Sequence, residues 1–453
     1  MDLTRGSVMK KLLIFAIPIL LSNLLQQLYY AADIVVVGNF ARDSKIALAA
    51  VGSSGAVSAF LLDILFGLSV GVSVVCANRF GAGNLQSLRR AMETGLLLAL
   101  AGGILISAVG VVFARPLLAL LGSPETVIDE AALYMKIIFL GQPAVMVYNF
   151  GAGILRSLGD TRRPMVVLSV TGAVNVVLNL VFVMLFHWDA AGVALATVIA
   201  NYLSALAVLI LFRDLEEDLK PNFRRPRIYR EELFAILRVG IPGGINGMMY
   251  NFSSVLLSSS VNSLGDVVIA ANSAASGIDA LIYQFVGAFT YAAISFAGQN
   301  YGAGNQKRID ELLLKGLVLV NGILLVVNAV LLPFSDFWLR FFTSDAQVIR
   351  EGSVRVMVMC GGQLIFSFSE MASACLRGMG KTAAPTLISV FCICILRLLW
   401  ILFLFPLSPN YWFLMLCYPV SWAFAGVGQI ICYLWYRLRE KRASLREHER
   451  ILA

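Results

Sequence analysis

The sequence predicts an all-α membrane protein of twelve transmembrane helices, arranged as two six-helix bundles related by a pseudo-twofold axis. Three observations lead to this prediction. Hydrophobic residues make up 59% of the 453 residues and charged residues only 14%, whereas a soluble domain is roughly 45–50% apolar. Apolar runs long enough to cross a bilayer recur along the whole chain. Two separate motifs also occur twice at one spacing, which indicates an internal duplication.

The apolar runs set the number of helices, because each crossing of the hydrocarbon needs about 20 apolar residues. The twelve runs lie at residues 11–39, 46–77, 91–113, 128–154, 164–186, 190–212, 234–263, 266–298, 311–334, 346–375, 385–406 and 411–436. Six is an even number, so each half begins and ends on the same side of the membrane. The two halves therefore share one orientation, with their axis along the membrane normal.

The duplication is visible in two motifs. The segment Phe80–Asn84 returns as Tyr301–Asn305, and Leu155–Pro164 returns as Leu376–Pro385, both with an offset of 221 residues. The glycines of the first motif let the backbone turn tightly where one helix ends. In a chain this apolar, a repeat about 220 residues long is typical of a transporter.

The repeats and the polar stretches predict the domain organisation. We expect an N-terminal bundle, a cytoplasmic linker, a C-terminal bundle and a cytoplasmic tail at residues 1–212, 213–233, 234–436 and 437–453. Pro18 and Pro242 lie early in the first helix of each bundle, where the missing backbone hydrogen bond favours a bend. We predict that both prolines are hinges.

The basic residues predict the orientation of the chain. With the N-terminus inside, the cytoplasmic segments collect most of them, including Lys10, Lys11, Arg162, Arg163 and the run 220–230. Such a bias marks the cytoplasmic side. We therefore expect a multi-pass protein of the cytoplasmic (inner) membrane with both termini in the cytoplasm. The net charge of +8 is then a topology signal, and its scatter over separate loops argues against a nucleic-acid partner.

Several classes of chemistry are disfavoured. The sequence Gly380-Lys381-Thr382 copies the end of a phosphate-binding loop, but Cys375 stands where that loop needs a glycine, so we expect no nucleotide site. The seven cysteines fall in or at the ends of apolar runs, and His187 and His448 are far apart. We expect that the protein is not an enzyme, needs no cofactor and binds no metal beyond a possible Na⁺ at Asp33. Without a nucleotide site, a transporter must draw its energy from an ion gradient or move its solute downhill.

Asp33 is the strongest candidate for ion coupling, because a charged side chain inside a spanning helix is costly and points to function. Counted from the outer helix ends, Asp33, Asn179 and Thr197 all lie roughly 10 Å deep at 1.5 Å per residue. Asn175 lies one helical turn deeper in the membrane, on the same helix face as Asn179. These four oxygen-bearing side chains suit a hard monovalent cation, and a proton on Asp33 would neutralise the same site. The alternative is that the three neutral residues only hydrogen-bond helices together.

A second group of polar residues is predicted to line a central substrate cleft. Asp279 lies on the eighth helix close to Tyr283 and Gln284, and the 221-residue offset pairs Asp63 with Gln284. The alternative for Asp279 is a carboxylate satisfied by a neighbouring partner.

Glu370 and Arg397 complete the set of charged candidates. Their depths in the tenth and eleventh helices differ by about 9 Å at helical rise, a gap that long side chains partly close. We predict a structural ion pair between them within the second bundle.

The chain resembles the bacterial branch of the multidrug and toxic compound extrusion (MATE) family. The resemblance rests on Pro18–Asn23 leading to Asp33, on the doubled Gly-Ala-Gly turns, on Leu155–Asp160, and on Ile269–Ala271 continuing to Asp279. It implies two six-helix bundles around a V-shaped cleft that opens alternately to the two sides of the membrane. It also implies export of amphipathic, often cationic, compounds in exchange for Na⁺ or H⁺.

The resemblance also bears on the coupling site. In the family, the aspartate of the first helix and polar residues of helices five and six form the cation site of the N-terminal bundle. By motif these correspond to Asp33, Asn175, Asn179 and Thr197. Relatives often carry an aspartate where this chain has Asn179, so we expect weaker Na⁺ binding and a larger role for H⁺.

A coupling site of the kind that some relatives have on helix seven is not expected in the second bundle. The acidic residue that some relatives carry early in helix seven is missing, since Tyr250, Asn251 and Ser253 occupy that stretch.

The resulting hypothesis is a secondary active multidrug antiporter that is monomeric, lies in the lipid bilayer and carries small-molecule drugs or metabolites. One alternative is a flippase for a lipid-linked precursor, which would need several cationic residues in the cleft, whereas Arg397 is the only one near mid-membrane. A membrane enzyme is disfavoured, because the sequence lacks any cluster of acidic, His or Cys residues with catalytic spacing. A channel would show ion flux without counter-transport.

Overall fold

The computed structural model describes the backbone of residues 1–41, 44–120, 125–223 and 226–452. These residues contain helices and no strand, and the all-α fold class is confirmed. The helices of the first half are α1 (Val8–Phe40), α2 (Ser44–Gly81), α3 (Leu85–Leu120), α4 (Glu125–Leu140), α5 (Gln142–Ser157), α6 (Arg162–Leu180) and α7 (Asp189–Leu211). A π-helical turn, Val181–Leu185, extends α6.

The second half repeats this order with more interruptions. Its helices are α8 (Arg230–Asn262), α9 (Asp266–Gly302), α10 (Gln306–Leu331), α11 (Ser335–Leu339), α12 (Ala346–Gly378), α13 (Ala383–Ser389), α14 (Leu396–Leu399), α15 (Tyr411–Met415) and α16 (Cys417–Leu452). The π-helical segments Val390–Ile395 and Trp400–Leu404 flank α14. Together with α13 they make one span, Ala383–Leu407.

Ten helical stretches within the described residues are long and apolar enough to cross a membrane, and α4 with α5 make an eleventh if the bent pair is one span. The remaining predicted span, 234–263, corresponds to α8. This helix is 33 residues long, but its C-terminal half carries Asn251 and five serines between residues 253 and 260. Its polarity makes α8 the least membrane-like of the long helices.

One difference between the two halves lies at the fourth predicted span of each. In the first half, α4 and α5 meet at a 42° bend, whereas the equivalent α12 is continuous from Ala346 to Gly378. Pro143 lies in the first turn of α5, and Leu364 occupies the equivalent position of α12. A proline has no backbone N–H and its ring clashes with the preceding helical turn, so the helix breaks in the half that carries the proline.

The chain folds into two compact units. The first unit contains Met1–Thr4, Ile14–Gly247 and Gly302–Gly304, and the second contains Arg5–Leu13, Met248–Tyr301 and Asn305–Ala453. The predicted linker, 213–233, and the first half of α8 therefore belong to the first unit. The buried core of the first unit includes Val72, Met92, Phe150 and Phe212, and one core of the second includes Leu257, Val261, Tyr411 and Met415.

Within the first unit, α2 and α8 approach each other through glycines. A Cβ added at Gly67 would lie 2.0 Å from the backbone N of Gly244, and one added at Gly71 would lie 2.7 Å from Ile236 O and 2.9 Å from the Cα of Gly240. Each helix thus presents two glycines four residues apart to the other. Small residues at this spacing let two membrane helices pack backbone to backbone.

The linker is held against α3 by hydrogen bonds. The Glu93 carboxylate accepts from the backbone N of Asn222 (2.8 Å), and Thr94 Oγ1 accepts from the backbone N of Tyr229 (3.1 Å). Glu93 is almost completely buried. Although the composition of this segment is that of a solvated connection, part of it is fixed to the first unit.

Candidate functional site

The structure brings the four residues of the predicted coupling site together in the first unit. Asp33 on α1 accepts a hydrogen bond from Asn179 Nδ2 on α6 at Oδ1 (2.5 Å) and one from Thr197 Oγ1 on α7 at Oδ2 (3.3 Å). Asn175, one turn before Asn179, donates to Thr197 Oγ1 (3.1 Å). Three helices therefore meet at one carboxylate through their polar side chains.

The Asn175 amide has two satisfactory orientations. In one, its Oδ1 accepts from Asn179 Nδ2 (3.3 Å) while its Nδ2 donates to Thr197. In the other, its nitrogen donates to Asp33 Oδ1 (3.3 Å) and its oxygen accepts from the backbone N of Thr197 (3.3 Å). Both orientations keep the carboxylate surrounded by neutral donors.

The site is buried and lacks a positive partner. Asp33 is 7% exposed and Asn179 is fully buried. Among the residues with described side chains, no Lys, Arg or His forms an ion pair with Asp33. A buried carboxylate without a counter-charge is costly, and binding a cation or a proton removes that cost.

The donor set fits a small hard cation. The side-chain oxygens of Asp33, Asn175, Asn179 and Thr197 are of the kind that such cations prefer. Asn179 Oδ1 is buried and accepts no hydrogen bond from the described part of the chain, so this oxygen is available as a ligand. With a single carboxylate the set suits a monovalent ion or a proton. No group of three or more His, Cys, Asp or Glu able to hold a metal occurs among the described residues.

One contact beside the site was not predicted. The Tyr29 hydroxyl on α1 donates to Ser169 O on α6 (3.2 Å), and a Cβ added at Gly172 would lie 1.9 Å from the Tyr29 ring. Gly172 therefore makes room for the ring and fixes α1 against α6 one turn from the coupling residues. A glycine inside an apolar helix is the only signal of this contact in the sequence.

The predicted cleft residues have different surroundings. Asp63 lies in the first unit, where it is half-buried and a Cβ added at Gly247 would lie 3.3 Å from its carboxyl group. In the second unit, Tyr283 is exposed and stacks on Phe366 with 5.7 Å between the ring centroids, and Gln284 is half-buried.

Asp279 is buried and bound by an arginine that was not among the predicted site residues. Arg355 Nε on α12 donates to Asp279 Oδ2 (2.6 Å), and Arg355 Nη1 also donates to Asn272 Oδ1. The Tyr411 hydroxyl donates to the same Asn272 oxygen (3.2 Å). These contacts correspond to the alternative weighed for Asp279, a carboxylate satisfied by its neighbour.

The structure gives Glu370 and Arg397 different partners from the predicted ones. Glu370 lies 3.8 Å from Arg377 Nη2 and accepts from the Tyr250 hydroxyl (3.4 Å). Arg397 donates to Ser421 Oγ and Ser253 Oγ. Arg377 is two helical turns from Glu370 on the same helix, so it reaches the carboxylate without bridging the difference in depth that separates Glu370 from Arg397.

The two predicted hinges lie inside continuous helices. Pro18 lies within α1, where the Ser22 hydroxyl donates to its carbonyl (2.8 Å), and Pro242 lies within α8. The hinge role of both prolines stays a prediction.

The fold and the site define a class of protein: a polytopic helical membrane protein built from two repeats, with a buried carboxylate among neutral oxygen ligands. Internal repeats of this kind are typical of membrane transporters. The family model MatE matches residues 18–181 and 242–402, and the chain belongs to this family. It is a membrane transporter and not an enzyme. The two matched segments begin at Pro18 and Pro242, which agrees with the duplication inferred from the sequence.

Relatives support the assignment. The chain is 30% identical over 352 residues to the probable multidrug resistance protein YpnP of Bacillus subtilis (strain 168), covering 78% of each chain. It is 27% identical over 400 residues to the probable multidrug resistance protein YoeA of the same organism, covering 86% of this chain and 85% of the relative. A solved outward-facing multidrug resistance MATE transporter is 25% identical with a TM-score of 0.86, covering 97% of both chains.

Proposed function

We propose that the protein is a secondary active multidrug efflux antiporter, exporting amphipathic, often cationic, compounds in exchange for Na⁺ or H⁺. The observation that carries the proposal is the buried Asp33 carboxylate, which receives hydrogen bonds from Asn179 and Thr197 but has no positive partner among the described side chains. Relatives named as multidrug resistance proteins support the class of cargo.

In the proposed mechanism, neutralisation of Asp33 drives the change between the outward-open and inward-open states. In the outward-open state, Na⁺ or H⁺ reaches Asp33 and neutralises it. The Asn179 amide then no longer faces a full negative charge, and α1 changes its packing against α6 and α7 about Pro18. The cargo leaves, and the protein returns to the inward-open state. A ligand drives such a change only if it favours one state, and neutralisation of Asp33 supplies that difference.

The remaining assignments belong to the same proposal. The predicted cleft residues Asp63, Asp279, Tyr283 and Gln284 are proposed to contact the cargo, and the Asp279 charge is already balanced by Arg355. Pro18 and Pro242 act as hinges of the predicted bundles, 1–212 and 234–436. The transporter is a monomer in the cytoplasmic membrane, and the linker, the tail and both termini face the cytoplasm.

Transport in inverted membrane vesicles tests the proposal. A fluorescent cationic dye is followed under an imposed Na⁺ gradient and, separately, under a pH gradient. The wild-type protein should move dye under at least one gradient, and Asp33→Asn should abolish this movement while leaving the amount of folded protein unchanged. Asp129→Asn is the matched control, because the Asp129 side chain is 78% exposed. Full efflux by Asp33→Asn would refute the role of Asp33.

A further inference from the structure

Arg355, Arg377 and Arg397 are three largely buried arginines of the second unit, and a carboxylate lies beside two of them. Arg355 pairs with Asp279 at 2.6 Å, and Arg377 lies 3.8 Å from Glu370. Arg397 is 3% exposed and forms no ion pair with any described residue. One buried guanidinium therefore keeps an uncompensated positive charge.

The hydrogen bonds of Arg397 do not supply the missing negative charge. Its Nε donates to Ser421 Oγ (2.9 Å) and its Nη1 to Ser253 Oγ (3.3 Å). Both hydroxyls donate in turn to backbone carbonyls, Ser421 to Tyr418 O (2.8 Å) and Ser253 to Ile393 O (3.0 Å). The third nitrogen, Nη2, is buried and meets no acceptor in the part of the chain that the structure describes. An unpaired N–H of a charged group is more costly to bury than a neutral one.

Aromatic rings stabilise the guanidinium without satisfying Nη2. The Arg397 Cζ lies 4.3 Å from the centroid of the Tyr418 ring and 5.8 Å from that of Trp422. Cation–π contact acts through the face of the guanidinium, so the N–H groups at its edge still need acceptors. Arg355 lies over the same Tyr418 ring at 5.9 Å, but its charge is balanced by Asp279.

The backbone around Arg397 is also unusual. Arg397 lies near the middle of the span Ala383–Leu407, where a charge is most costly. Its helix, α14, is only four residues long and is flanked on both sides by π-helical segments. π-Helical insertions within α-helices occur frequently at functional sites. The distortion therefore coincides with the one buried cation that lacks a counter-ion among the described residues.

We propose that the second unit binds one anionic group at Arg397 Nη2, either a halide ion or the carboxylate of a transported solute. The group accepts hydrogen bonds from Nη2 and neutralises the guanidinium, in the way that a carboxylate neutralises Arg355. This site differs in sign and in place from the coupling site at Asp33. If the group is a carboxylate of the solute, a solute that carries one would be held more firmly than the same solute without it.

Thermal unfolding of the purified full-length protein in lipid nanodiscs tests the site. A ligand that binds only the folded state raises the unfolding temperature in proportion to the logarithm of its concentration once it saturates. Sodium chloride, bromide, acetate and benzoate are compared at equal ionic strength with sodium isethionate, whose anion is neither a halide nor a carboxylate. The wild type should be stabilised relative to isethionate. Stabilisation by halides alone identifies a bound ion, and stabilisation by acetate and benzoate as well identifies a carboxylate of the solute.

Three variants decide whether Arg397 is responsible. Arg397→Gln should lose the anion-dependent shift, and Lys315→Gln, which removes an exposed charge, should keep it. Arg397→Lys keeps the charge but removes Nη2, and its apparent affinity should fall by about tenfold, the equivalent of one charge-assisted hydrogen bond. This variant also carries the test if Arg397→Gln does not fold.

Two results would overturn the proposal: no anion-dependent shift in the wild type, or equal shifts in the wild type and Arg397→Lys. Neither result bears on Asp33, whose test is dye efflux.

Discussion

Asp33 Oδ1 and Asn179 Nδ2 lie 2.5 Å apart, although 146 residues separate them along the chain. This hydrogen bond joins α1 to α6 inside the first unit, and Asn179 is fully buried. The amide presents its N–H group to the carboxylate, while its oxygen accepts no hydrogen bond from the described residues. The pair therefore combines one negative charge with one available neutral ligand.

Asn179→Asp should strengthen Na⁺ coupling. A second carboxylate this close to Asp33 adds negative charge to the site, and like charges at such a distance favour binding of a cation or a proton. We expect the Na⁺ concentration for half-maximal dye efflux in proteoliposomes to fall by about tenfold, equivalent to about 1.4 kcal/mol.

The control for this variant is Asn39→Asp, which adds a carboxylate at an exposed position on the same helix, α1. Its Na⁺ dependence should match that of the wild type. An unchanged Na⁺ dependence in Asn179→Asp, with transport preserved, would show that Asn179 does not contact the coupling ion.

Gly67→Ala should prevent correct packing of the first unit. The added Cβ would lie 2.0 Å from the backbone N of Gly244 and 2.7 Å from Gly240 O, and backbone atoms cannot move aside as a side chain can. The yield of monodisperse protein from size-exclusion chromatography measures the effect, and we expect a large loss.

The matched control is Gly322→Ala, since no atom lies within 4 Å of a Cβ added there. Alanine has a higher helix propensity than glycine by about 1 kcal/mol, so this variant should be neutral or slightly stabilising. A normal yield of Gly67→Ala would mean that α2 and α8 are further apart than the structure indicates.

Much of the coupling site was predictable because depth follows directly from helical rise. Asp33, Asn179 and Thr197 lie at similar distances from their helix ends, and Asn175 follows from helical periodicity. The contact between Tyr29 and Gly172 was not predictable, because sequence spacing does not show which faces of α1 and α6 meet. The break at Pro143 had a local signal in the proline itself, but the continuous pattern of apolar residues outweighed it.

The pairing of buried charges was harder to predict than their presence. Depth alone favoured a partner for Glu370 on a neighbouring helix, whereas the structure uses Arg377, seven residues further along the same helix. Arg355 lies well inside the predicted span 346–375, roughly 14 Å from its start at helical rise, so its depth was a signal of a buried charge. Its contact with Asp279 depends on how α9 packs against α12, which the sequence does not reveal.

Removing one member of the Asp279–Arg355 pair should be more harmful than removing both. The side chains are 8% and 10% exposed, and a buried charge left without its partner costs about 3–5 kcal/mol. We expect Asp279→Leu and Arg355→Met to lower the unfolding temperature strongly in detergent, and the double variant to recover most of the loss.

The Glu311–Lys315 pair provides the comparison, because both side chains are 48% exposed. Neutralising either residue should change stability by about 0.3–0.5 kcal/mol. If the losses in the two single variants at Asp279 and Arg355 simply add in the double variant, the two groups do not interact in the folded protein.

Exchanging the charges of Glu370 and Arg377 should preserve more function than exchanging those of Glu370 and Arg397. A 3.8 Å contact joins Glu370 to Arg377, and both residues lie on α12, so reversal keeps opposite charges near each other. Glu370→Arg alone places two like charges on one helix face and should reduce the yield of folded protein. Adding Arg377→Glu should restore most of it, whereas adding Arg397→Glu should not, because Arg397 is held by Ser253 and Ser421. Size-exclusion yield and dye efflux are measured for all three variants, and a stronger rescue by Arg397→Glu would show that the pairing predicted from depth exists in another state of the transport cycle.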